Sequence, residues 1–125
     1  VPLGRRFRAL KLWFVLRSYG AEGIRAKVRE DVRLARWLTE RIEAHPSLEM
    51  VAPTTFSLVS FRHSESDEET SRLAEGINAS GWAYVTASVL DNLPFIRVSI
   101  GQTNTAARHV HRLWELIDRL SKEHA

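Results

Sequence analysis

The chain has 125 residues, of which 44% are hydrophobic and 26% charged, with 6 Gly, 4 Pro and no Cys. That composition suits a single globular domain able to bury a core and excludes disordered, collagen-like and disulfide-framework proteins. The absence of cysteine also removes thiolate metal sites, redox dithiols and cysteine nucleophiles, and it agrees with a cytoplasmic setting. The longest uninterrupted apolar run, Leu12 to Leu16, is far shorter than the roughly 20 residues that cross a bilayer, so no membrane association is expected, and no signal-peptide pattern is present. The chain opens on Val1 and its one methionine is Met50, so it reads as a piece of something longer.

The net charge of +3 is unevenly spread. Residues 1–45 carry 11 Lys or Arg against 5 Asp or Glu, whereas residues 46–125 carry 7 against 10. Only Lys11, Lys27 and Lys122 are lysines, leaving 15 arginines among the 18 basic residues. An arginine-rich start admits a nucleic-acid-binding module, whose affinity would fall steeply with salt. The plainer reading places Arg25, Arg29, Arg33, Arg36 and Arg41 on the solvated side of a helix, paired with Glu22, Glu40 and Glu43.

In chain order, Pro2 and Gly4 precede a helix that runs from Arg5 to Tyr19 and stops at Gly20, with Ala21-Glu22-Gly23 as a turn. From Leu10 to Leu16 only Lys11 interrupts the apolar residues, so this helix has no clean polar face. It predicts burial on nearly all sides, with part of the cover supplied by another domain or subunit. A second helix is amphipathic, with Ile24, Val28, Val32, Ala35, Leu38 and Ile42 inward, and ends before Pro46. Strands follow at Leu48 to Val51 and Phe56 to Phe61, joined through Ala52-Pro53-Thr54-Thr55. Ser66-x-x-Glu69 is a capping box that opens a helix with Leu73 and Ile77 inward, closed by Gly81. Tyr84 to Leu90 and Phe95 to Ile100 form a hairpin around Asp91-Asn92-Leu93-Pro94. Thr103 to Thr105 caps a final helix with Val110, Leu113, Trp114, Ile117 and Leu120 on one face. The order α-α-β-β-α-β-β-α predicts an α+β domain: an antiparallel sheet of about four strands backed by helices.

Little chemistry is self-evident. Neither a dinucleotide fingerprint nor a phosphate loop occurs. His109 and His111, two apart on a helix, point about 200° from each other and cannot share a metal, while His111 and Glu115 lack a third ligand. Ser57, Ser60, Ser88 and Ser99 have no evident His and acid partners, and the four tryptophans Trp13, Trp37, Trp82 and Trp114 suit core packing. Arg97 resists a bland reading because the strand Phe95 to Ile100 is otherwise fit for burial. It needs a carboxylate or must reach a cleft, unless its side chain lies on the open face of the sheet with Phe95 and Ser99.

The run Pro2-Leu3-Gly4-Arg5-Arg6-Phe7-Arg8-Ala9-Leu10-Lys11-Leu12-Trp13-Phe14-Val15 resembles the signature P-L-[GS]-R-R-F-R-[SA]-L-K-[LM]-W-F-V of the group II pyridoxal-phosphate-dependent decarboxylases. The aromatic-L-amino-acid branch is the nearest match. Residues Gly20 to Arg29 and the strand around Arg97 continue the likeness in register. The resemblance implies that residues 1–45 are connecting helices from a large domain and residues 46–125 are the small C-terminal domain of a fold-type I enzyme. Such an enzyme is a cytoplasmic homodimer that uses pyridoxal 5'-phosphate. It decarboxylates an aromatic L-amino acid such as dopa, tyrosine, tryptophan or phenylalanine to the amine and CO2, with the pyridoxal ring as electron sink. A histidine or glutamate substrate remains an alternative, as does the aldehyde-forming variant of the reaction.

The resemblance also implies that the Schiff-base lysine and the other main cofactor contacts lie upstream of Val1, so the 125 residues alone are expected to be inactive, with no catalytic residue among them. Two positions carry over as substrate-binding. Gly4 falls where the aromatic branch has Gly and histidine decarboxylase has Ser, a position tied to pocket size, although Gly4 could equally serve only the turn before the helix. Arg97 matches the strand arginine that contacts the substrate carboxylate in the glutamate branch.

Overall fold

The computed structural model describes residues 3–81, 83–101 and 106–122, with side chains placed for 10–14, 16, 17 and for every described residue from 20 onward. The elements are α1 (Leu3–Ala44), β1 (Leu48–Met50), β2 (Leu58–His63), α2 (Asp67–Ala79), β3 (Thr86–Leu90), β4 (Leu93–Ser99) and α3 (Ala107–Lys122). They fall into two compact units, Val1–Glu30 and Asp31–Ala125.

In the first unit, helical conformation is broken at Gly20, with φ 69° and ψ 168°. That combination is open to glycine and strained for any residue with a Cβ. The expected stop is therefore at Gly20, but helix resumes at once, and Ala21-Glu22-Gly23 is helical rather than a turn. Gly4 likewise lies inside the first turn of α1, not in a turn before it. Among the described side chains of this unit, Leu10, Leu12, Trp13, Phe14 and Leu16 are each about half exposed. Arg17 lies over the Trp13 ring at 5.5 Å, and Arg25 pairs with Glu22 one turn away.

The second unit is built on one four-stranded sheet in the order β1-β2-β4-β3, antiparallel at every pairing. Leu34, Leu38 and Ile42 from α1, Leu73 and Ile77 from α2, and Val110, Leu113 and Ile117 from α3 share one buried cluster with Val59, Phe61, Ile96 and Val98 of the two central strands. The α+β fold with a sheet backed by helices is thus as the sequence predicts. The amphipathic stripe of α1 is inward only from Leu34 onward, because Val28, expected inward, is half exposed. Trp13 is exposed too, whereas Trp37 and Trp114 pack against the core.

Strand ends depart from expectation by one or two residues throughout, with β3 starting at Thr86 rather than Tyr84, and at two places a tight turn explains the shift. Phe56 adopts φ 52° in a tight turn bridged by Thr55 and Leu58, so β2 begins at Leu58 and Phe56 is solvent-exposed. Asp91 and Asn92 both have positive φ, 51° and 64°, which makes a two-residue hairpin turn and carries Leu93 and Pro94 into β4. Positive φ at both turn residues matches the strand twist, and Asn and Asp tolerate it better than most residues. Pro94 is accommodated because the pairing of β4 with β2 covers only Ile96 to Ser99, so no ladder donor is lost there.

The capping box forms as read: the Ser66 hydroxyl accepts the Glu69 N–H at 3.1 Å, and Gly81, with φ 71°, follows the end of α2. The cap expected at Thr103 to Thr105 lies outside the described residues, as does Trp82.

Candidate functional site on the open face of the sheet

Alternation along β4 buries Ile96 and Val98 against the helices and leaves Phe95, Arg97 and Ser99 on the opposite face. Register places Arg97 between Ser60 of β2 and Thr86 of β3. The guanidinium is exposed and has no carboxylate partner among the described residues. Arg97 therefore needs no buried acid, and its position in an apolar strand is explained by the face it occupies. The result is a cation at the middle of a sheet, flanked by two hydroxyl side chains and free to take a ligand carboxylate.

Arg62, on neighbouring β2, shows what a structural arginine in the same sheet looks like. It donates to Glu49 of β1 and, at 2.9 Å, to Asp67 in the first turn of α2. Burial works against its charge, yet the hydrogen bonds to Asp67 and Glu49 hold its pKa above the ordinary arginine value. Arg62 joins β1 to α2, whereas Arg97 has no ion-pair partner among the described residues.

The other candidates do not assemble into a site. His109 Nδ1 accepts the Ala106 N–H at 2.9 Å near the start of α3, whereas His111 lies against Trp37 with ring centroids 4.1 Å apart, so the two histidines are turned to different tasks. No cluster able to hold a metal occurs among the described residues. A groove of about 450 Å³ runs between Ser80 and the α3 residues Arg112, Glu115, Leu116 and Arg119, remote in sequence from both Gly4 and Arg97. Gly4 belongs to the first unit and its surroundings lie outside the described side chains.

Lys11 is exposed on α1, and Lys122 is exposed and bonded to Asp118 at 2.9 Å. Lys27 already has an interaction partner.

Residues 1–64, half of the chain, match the family model described as the pyridoxal-dependent decarboxylase conserved domain. The chain belongs to the pyridoxal-dependent decarboxylase family. It is 38% identical to a tryptophan decarboxylase of Camptotheca acuminata, over 94% of this chain and 25% of that protein. The solved Oryza sativa TDC with PLP and tryptamine superposes with a TM-score of 0.84 at 32% identity, covering 94% of this chain and 27% of that one. A solved Rhodiola rosea 4-hydroxyphenylacetaldehyde synthase superposes at 0.85 with 36% identity, covering 94% and 27%. The chain thus spans about a quarter of the length of the relatives it matches. The unit of this family described here has an α+β fold with the Arg97 face open, and among its described residues no helix is long and apolar enough to cross a membrane.

Proposed function

We propose that this decarboxylase-family chain is the small C-terminal part of a longer, cytoplasmic, homodimeric enzyme that uses pyridoxal 5'-phosphate to remove the α-carboxylate of an aromatic L-amino acid as CO2. The family match over residues 1–64 carries this reading. In it, residues 1–45 connect a large cofactor-binding domain to the small domain of residues 46–125, with Leu34 to Ile42 also serving the small domain's core. The half-exposed Leu10, Leu12, Trp13, Phe14 and Leu16 support cover by that large domain or by the second subunit, since apolar surface of this density is costly to leave in water.

Within that enzyme, Arg97 supplies a fixed cation for the substrate carboxylate, and Gly4 leaves room for a large ring. Relatives that include both a tryptophan decarboxylase and an aldehyde synthase leave the ring and the fate of the amine to be decided by assay.

The experiment is a panel of dopa, tyrosine, tryptophan, phenylalanine, histidine and glutamate assayed on the full-length protein with added pyridoxal phosphate, following CO2, amine and aldehyde. Aromatic amines with CO2 are expected. No CO2 from any aromatic substrate would overturn the assignment. In the same protein Arg97→Gln should lower kcat/KM roughly tenfold to a hundredfold, the worth of a charge-assisted hydrogen bond, with the melting temperature unchanged. Unchanged kcat/KM would remove Arg97 from the site and leave the enzyme class standing. Gly4→Ser should weaken the larger rings selectively; an equal loss for all substrates would confine Gly4 to the backbone.

A further inference from the structure

The connection between α1 and β1 is organised around one side chain. His45 follows the last residue of α1, and its N–H donates to the Ile42 carbonyl at 3.0 Å. Only 5% of its side chain is exposed. Its Nδ1 accepts the Ser47 N–H at 3.1 Å, which places the proton of the neutral ring on Nε2. Nε2 lies 3.3 Å from Asp118 Oδ1 on α3, without the alignment of a hydrogen bond. Trp114 of the same helix meets the imidazole edge to face, with centroids 5.8 Å apart and planes at 82°. One ring therefore touches the end of α1, the entry to β1 and the side of α3.

We propose that His45 is an acid-released latch: the neutral ring holds the Ser47 N–H and keeps the α1–β1 turn against α3, and protonation of Nδ1 removes that acceptor and frees the turn. This device is independent of the enzymatic reading, since every residue in it belongs to the second unit and none is placed in the substrate site.

The charges that face the ring come from two elements. Asp118 on α3 favours the imidazolium, whereas Lys122 on α3 and His63 on β2 oppose it. Burial, joined by Lys122 and His63, outweighs Asp118 and holds the His45 pKa below the ordinary histidine value of 6.5. For a group with a depressed pKa of this kind, the closed turn binds a proton less readily than the open one. The stability of the closed turn is then fully present above pH 6.5 and is lost as the pH falls from there toward the lower value of the closed state.

The test is amide hydrogen exchange at Ser47 in the whole chain at about pH 7.5 and about pH 5.5, corrected for the intrinsic rate at each pH. Protection should fall by up to about tenfold, the limit set by an open-state pKa near the ordinary histidine value. His45→Asn keeps an amide oxygen near the place of Nδ1 and cannot titrate, so its Ser47 protection should be the same at both pH values. Asp118→Asn removes the group that favours the imidazolium and should deepen the loss. Equal protection at both pH values in the unaltered chain would overturn the latch, and so would an undiminished loss in His45→Asn. Should His45→Asn fail to fold, ring nitrogen shifts of the unaltered protein decide the matter. A proton on Nε2 with a midpoint below 6.5 is expected; a proton on Nδ1, or a midpoint above 6.5, would overturn the proposal.

Discussion

The two units use similar residues in opposite ways. In the first, leucines and aromatics gather within two turns of helix and remain half exposed; in the second, leucine, isoleucine and valine from three helices and two central strands reach complete or near-complete burial. Leucine content does not separate them, since both hold leucines throughout. What separates them is whether the apolar residues repeat with a period that lets one face turn inward. Leu34, Leu38 and Ile42 repeat at four and align on one side of α1, and a sheet is there to receive them. Leu10 to Leu16 are nearly contiguous and surround their helix, so no single neighbouring surface could cover them all.

The sharpest way to break this contrast is to open the core of the second unit. Phe61 is fully buried on β2, opposite Ile96 in the central pairing. Phe61→Ala should cost about 3–5 kcal/mol, a large share of a small domain's stability. Denaturant melts of the second unit's signal check it, and a loss below about 1 kcal/mol would mean that the core can be supported without the sheet.

A middle-sized effect is expected where polar groups fasten the layers together. Thr70 on α2 is 1% exposed. Its hydroxyl accepts the His63 N–H of β2 at 2.9 Å and donates to the Ser66 carbonyl at 3.0 Å. Thr70→Val keeps the volume but strands the His63 N–H, and should cost about 1–3 kcal/mol with little change in fold. The amide proton of His63 should lose exchange protection in step. A neutral substitution would show that the helices are held to the sheet by apolar packing alone.

Thr70 also marks what could and could not be read in advance. Element order, the capping box and the inward faces of α2 and α3 follow from short-range signals: a Ser three residues before a Glu, or apolar residues three and four apart. The face of Arg97 follows from alternation. The bond from His63 to Thr70 and the clamp of Asn78 on both backbone groups of Val85, at 3.0 and 2.7 Å, join residues seven apart across an element boundary, where no period applies. The role of His45 is hidden from the sequence for the same reason: its neighbour Asp118 lies 73 residues away and is brought to it only by the fold. The extents of the strands beside Phe56 and Asp91-Asn92 do not follow from the sequence, because strand propensity carries no marker for the residue at which pairing stops.

For the candidate site, the sequence placed Arg97 on its face, but the burial argument alone could not separate a ligand contact from an ordinary surface arginine. The comparison with Arg62 shows only that Arg97 lacks a structural pairing among the described residues, and the Arg97→Gln assay is what separates the two roles. Both are arginines on central strands, yet one is consumed by Glu49 and Asp67 and the other is unclaimed among the described residues.

The smallest expected effect sharpens the contrast from the other side. Trp13 and Phe14 stand edge to face, with centroids 5.1 Å apart, and each remains about half exposed. A residue already in water loses little when replaced by a polar one, so Trp13→Ser with Phe14→Ser should change the folding free energy of the 125-residue chain by no more than about 0.5 kcal/mol per site. The same pair in the full-length protein should behave differently if another domain or subunit covers it. There each ring would be buried, and its removal should cost about 3–5 kcal/mol per site and reduce assembly. Melts of the short chain and of the full-length protein, run side by side on the same double substitution, measure the difference directly. A large loss in the short chain would mean that the two rings already do structural work within these 125 residues. An equally small effect in both would mean that the apolar helix is not covered, and the contrast between the two units would then have no partner to explain it.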